Sequence, residues 1–150
     1  MGAVTYPDSR VAEFINNRTI PVQLLYDSQP YSSMYSVKWT PTILILDENG
    51  KEHHRIVGFL PPEEFIPNLL LGAAKVNFDR DELEQADADL ENVLHGYPQS
   101  AAAPEAIYLH GVIRFKETHK PEPLKEAFEQ LKREHPESEW AKRAMPYGLL

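Results

Sequence analysis

The sequence predicts an α/β domain of strand-helix-strand-strand-helix (β-α-β-β-α) order, followed by a wholly helical region. Three observations predict it. Two β-branched and aliphatic runs, Ile20–Tyr26 and Thr42–Leu46, fall in the first third of the chain. Asn49-Gly50 separates the second run from His53–Val57 and is a strong hairpin signal, because both residue types accept positive φ. From Leu69 onward strand patterning gives way to helical periodicity.

Composition sets the class. At 150 residues, 42% apolar and 25% charged, the chain is globular in character and large enough for one ordinary domain or two small ones. The 23 acidic against 15 basic residues leave a formal charge of −8, which argues against the clustered cationic surface a nucleic acid requires. The longest apolar runs fall short of the roughly 20 residues that span a bilayer, so no membrane partner is expected. MGAVTYPDSR lacks a basic segment followed by an apolar core, so the residues as given read as cytoplasmic, with export of a longer native form left open. There is no cysteine, which removes disulfides and thiolate metal sites.

Taken in order, Asp8 before Val11, Ala12, Phe14 and Ile15 predicts a capped helix over 9–16. Ile20–Tyr26 reads as a strand buried on both faces, with Pro21 tolerated at its start. Pro30 followed by Tyr31, Met34, Tyr35 and Val37 predicts a helix of one or two turns. Thr42–Leu46 and His53–Val57 form the hairpin. Pro61-Pro62-Glu63-Glu64 opens a helix with prolines in its first turn and carboxylates at the positive end of its dipole, and Pro67 is expected to kink or end that turn.

The helical region presents Leu69, Ala73 and Val76, then Leu83, Ala86, Leu90, Val93 and Leu94, at core-facing spacing. Ala103-Pro104-Glu105 starts a further helix carrying Ala106, Ile107, Leu109, Ile113 and Phe115. Another starts at Pro121-Glu122-Pro123 and carries Leu124, Ala127, Phe128 and Leu131. Trp140, Ala141, Ala144 and Tyr147 close the chain. LENVLHGYPQS at 90–100 and FEQLKREHPES at 128–138 match 38 residues apart, the mark of stacked helix pairs.

Val37-Lys38-Trp39-Thr40-Pro41-Thr42, with the hairpin residues Asp47, Asn49, Gly50 and Gly58, resembles the proline loop and hairpin of the thioredoxin-like family. The resemblance covers the C-terminal part of that domain and makes the fold an incomplete thioredoxin-like one over 1–70. It implies a thiol-disulfide oxidoreductase, a cis Thr40–Pro41 bond, and substrate-binding roles for Trp39, Thr40 and Pro41. Trp39 departs from the small residue usual there. The family's first strand, the helix after it and the strand ending in Cys-x-x-Cys are not found in these residues. Met1–Tyr6 resembles the tail of the helix that follows that motif, which fits an internal start, a truncation, or a protein that has lost its redox half. Residues 71–150 resemble a tetratricopeptide-like helical hairpin region, which implies a protein or peptide partner. An unpaired sheet edge makes a homodimer a further expectation.

Candidate chemistry elsewhere is sparse. Adjacent His53 and His54 point to opposite faces of a strand and read as a solvated hairpin. His95, His110, His119 and His135 show no metal-ligand spacing. Asp79, Asp81, Glu82, Glu84, Asp87 and Asp89 fail the calcium-loop pattern and read as a solvated helix face. No Gly-x-Ser-x-Gly elbow or glycine-rich phosphate loop is present. Catalytic, metal and cofactor residues are therefore none. Tyr35 reads as core, while Trp39 suits a core and a peptide-binding surface equally.

Overall fold

The computed structural model describes residues 1–150 and divides into two compact units, Met1–Ile66 and Pro67–Leu150. In the first, α1 spans Ser9–Arg18, and the Asp8 carboxylate caps it by accepting from the amides of Arg10 and Val11. A single helical turn, α2 (Tyr31–Met34), follows Pro30. β1 (Thr42–Leu46) and β2 (Glu52–Val57) form a two-stranded antiparallel sheet. α3 (Pro62–Asp79) begins in this unit and continues into the second. Thr5, Val11, Phe65 and Ile66 are buried. The Thr5 hydroxyl donates to the Leu60 carbonyl, and Tyr6 meets Phe65 edge to face at 5.8 Å.

The strand expected over Ile20–Tyr26 does not form. The segment has no regular secondary structure and ends in a turn at Tyr26, and Ile20, Val22, Leu24, Leu25 and Tyr26 are all exposed, Ile20 by 92%. β propensity reflects packing against cross-strand neighbours, and β1 pairs only with β2. Without a ladder partner among these residues, the apolar run has no sheet to join.

The hairpin is tied by Asp47 rather than by a two-residue turn. Its Oδ1 accepts from the amides of Asn49 and Lys51, and only Gly50 (φ 78°) adopts the left-handed region; Asn49 does not. Ile45 faces His54 while Leu46 faces Glu52, so His53 is an extra, bulged residue in β2. Its ring is buried against Asp47, with Nε2 3.1 Å from Oδ2. The expectation of a solvated His53 is thereby corrected: the bulge redirects the ring inward. The same contact, followed by the Lys51 amide, holds the Asp47 carboxyl below its usual range.

Pro67 neither ends nor interrupts α3, which runs through it for 18 residues. In the second unit α4 (Leu83–Gly96), α5 (Ala103–Thr118), α6 (Glu122–Glu134) and α7 (Glu139–Ala144) pack consecutively, and a 3₁₀ turn over Met145–Leu149 closes the chain. Ile107, Ala127, Leu131, Ala141 and Ala144 form the core, flanked by Leu94, Tyr108, Phe128, Trp140 and Tyr147. The matched positions Leu90, Val93 and Leu131 are fully buried, and Phe128 partly so, because each lies on the inward face of its helix. Phe115 of α5 is 38% exposed. Asp89 is also an exception to the solvated acidic face: it is buried and accepts from the Asn77 amide at 3.2 Å.

Candidate functional site

The loop between α2 and β1 is held at both ends. Tyr35 donates its hydroxyl to the Gly50 carbonyl at 2.8 Å, and Arg55 donates to the Tyr35 carbonyl at 2.6 Å. Arg55 also forks onto Glu52, which lowers the Glu52 carboxyl pKa. Ser36 turns the chain with φ 50°, and the Val37 amide donates back to Ser32. On the far side the Thr42 hydroxyl donates to the Trp39 carbonyl at 2.7 Å, and the Gly58 amide donates to the Pro41 carbonyl at 2.8 Å. The Gln29–Pro30 and Thr40–Pro41 peptide bonds are cis.

These anchors leave the tip of the loop in solvent. Trp39 is 70% exposed and Thr40 is exposed, whereas Pro41 is half-buried. Tyr26, Val37, Lys38, Trp39 and Thr40 line an open depression of about 360 Å³. Of the three residues singled out by sequence, Trp39 and Thr40 line it together. Pro41 stands outside the lining and fixes the backbone at the start of β1. Tyr26, Val37 and Lys38 were missed as site residues. Tyr26 had been read as a strand side chain, and the exposed end of an unpaired apolar run was the signal that could have marked it. Tyr35 is half-buried against the hairpin, while Tyr31 is exposed on α2.

Tyr26, Val37 and Trp39 give the depression apolar lining, and Lys38 and Thr40 give it polar lining. No thiol is present to attack a disulfide. No group of three or more His, Asp or Glu side chains is placed to hold a metal ion. No helix is long and apolar enough to cross a membrane. The fold does bring His110 to carboxylates distant in sequence. On α5, His110 lies 2.8 Å from Asp87 and 3.7 Å from Glu91 of α4, and His95 lies 3.0 Å from the same Glu91. The His110 pairs bridge α4 and α5, whereas His95 and Glu91 lie one turn apart on α4.

A family model described as a thioredoxin-like domain matches residues 4–71. That stretch, from the first turn through the hairpin and into α3, is a thioredoxin-like domain, and a helical tail follows it. No curated protein and no solved structure matches the chain.

Proposed function

We propose that the chain belongs, through its thioredoxin-like domain, to the thiol-disulfide oxidoreductase family, and that these 150 residues bind peptide without exchanging disulfides. The observation that carries the reading is an exposed Trp39-Thr40 loop lining an open depression of mixed polar and apolar character in a chain with no cysteine. Disulfide exchange needs a thiolate to attack one sulfur and a second to resolve the mixed disulfide. The sulfurs here are three methionine thioethers, which cannot do so. Trp39, Thr40 and Pro41 are the substrate-contacting residues in this reading: the indole packs on apolar side chains and the backbone around Pro41 meets the peptide main chain.

A second reading places binding in the helical half, as a tetratricopeptide-like module. The 38-residue match between buried positions of α4 and α6 favours it.

Insulin reduction in dithiothreitol, with titration of reduced insulin B chain followed by fluorescence anisotropy, tests both. The expected result is no insulin reduction above dithiothreitol alone, and peptide binding weakened about tenfold by Trp39→Ala, as loss of one aromatic contact implies. Turnover by this chain would overturn the first reading. Binding unchanged in Trp39→Ala would move the site to the helices.

A further inference from the structure

The bulge in β2 puts a charged pair on one face of the hairpin. Glu52 and Arg55 stand at i and i+3, a spacing that in a regular strand sends side chains to opposite faces. Here Glu52 lies opposite Leu46 and Arg55 opposite Leu44, which share a face of β1, because the extra His53 takes up one step. The His53 ring, 3.1 Å from Asp47, holds the bulge in place. The Glu52 carboxylate therefore accepts twice from the Arg55 guanidinium, from Nε at 2.7 Å and from Nη2 at 2.6 Å. Fixed in that fork, Nη2 also donates to the Tyr35 carbonyl at 2.6 Å. Tyr35 is held a second time by its hydroxyl, which donates to the Gly50 carbonyl at 2.8 Å. The turn is shaped to receive it: Gly50 has φ 78°, and a Cβ there would stand 3.1 Å from the Tyr35 hydroxyl oxygen. Residues 36–41 run from this anchor to β1, where the Thr42 hydroxyl and the Gly58 amide hold the Trp39 and Pro41 carbonyls.

We propose that Arg55 is a positioning residue for the Trp39-Thr40 loop, oriented by Glu52 across the His53 bulge and acting on the loop through the Tyr35 main chain. Arg55 fixes the backbone from which Trp39 projects, so that less loop entropy remains to be lost on binding. A lysine does not replace it, because one ammonium lacks the planar fork that reaches the Glu52 carboxylate and the Tyr35 carbonyl together. Every group in this network finds its partner within residues 35–58. The effect on peptide affinity rests on the peptide-binding reading, whereas the effect on loop motion does not.

Time-resolved fluorescence anisotropy of Trp39 in the full chain, with Trp140→Phe leaving it the single indole, reads the loop without peptide. Arg55→Met and Arg55→Lys should both enlarge its nanosecond motion, and Glu52→Gln should do so to a smaller extent. Arg114→Met, which removes an ion pair with Glu126 in the helical unit, should leave that motion unchanged. Titration of reduced insulin B chain should show binding weakened about threefold to tenfold in Arg55→Met and not rescued in Arg55→Lys. In a Trp39→Ala background the effect of Arg55→Met should fall below about twofold, because it passes through the indole. Trp39 motion unchanged in Glu52→Gln and Arg55→Lys would overturn the proposal. So would full rescue by Arg55→Lys, or an affinity loss in Arg55→Met that persists when Trp39 is alanine. Glu52→Gln barely alters side-chain volume, so it carries the test even if Arg55→Met unfolds. If Trp39→Ala leaves binding unchanged while Arg55→Met frees the indole, the peptide-binding reading falls and the positioning role stands.

Discussion

Gly111 sits where α5 crosses α6, and its missing side chain sets their separation. A Cβ at that position would lie 2.6 Å from the Ala127 Cβ and 3.1 Å from the Pro123 carbonyl oxygen, both on α6. Carbon atoms pack comfortably at about 3.5–4.0 Å, so Gly111→Ala must drive the helices apart by about 1 Å. Overpacking of this kind costs roughly 1–3 kcal/mol, while replacing a mid-helix glycine by alanine returns about 1 kcal/mol of helix propensity. The net expectation is destabilisation by up to about 2 kcal/mol. Ala127→Gly alone should cost a similar amount through propensity and one lost buried methyl. Combined, the two substitutions exchange one methyl for another across the same gap, so the double variant should be more stable than the sum of the singles by at least about 1 kcal/mol. Urea unfolding followed by Trp140 fluorescence in a Trp39→Phe background reads this core selectively, because Trp140 packs on the same cluster. Gly111→Ala that is neutral or stabilising, with no coupling to position 127, would refute the close-packing argument and leave propensity as the governing effect.

Two pH dependences follow from the same geometry. The Arg10 guanidinium, joined by the Arg10 and Val11 amides, holds the Asp8 carboxyl at about 2. Its contribution to α1 is therefore complete above the ordinary carboxylate value and lost as pH falls from about 4 to about 2. Far-ultraviolet ellipticity should show that step in the native chain and lack it in Asp8→Asn. At the other extreme, burial and then the hydrogen bond with the Tyr108 hydroxyl, 2.7 Å away, push the Tyr147 phenol up to about 12. A raised acid pKa means that its stabilisation is intact below about 10 and lost as pH rises from about 10 to about 12. Alkaline denaturation should show this loss in the native chain but not in Tyr147→Phe.

Where local chemistry decides, the sequence and the structure agree closely. Asp8 caps α1, Pro62 opens α3, Ala103 opens α5, and Glu122 follows Pro121 into α6. Each depends on a side chain satisfying amides within one turn, or on a proline whose missing N–H is needless there. The departures come where a distant partner decides. His53 is buried because a bulge aims it at Asp47, Asp89 because Asn77 reaches it from another helix, and Ile20–Tyr26 stays unpaired because no strand lies beside it. At the candidate site, Trp39 and Thr40 were visible in the proline loop. Tyr26 joins them only through the path of the chain, and no local pattern encodes that.

The sequence by itself determined the lack of a thiol, the hairpin, several helix starts and the helical second half, since composition, turn residues and caps act over a few positions. Only the tertiary structure decided which apolar residues are buried and which remain at the surface. Burial requires a facing surface, and for Ile20–Tyr26 and Trp39 these 150 residues provide none.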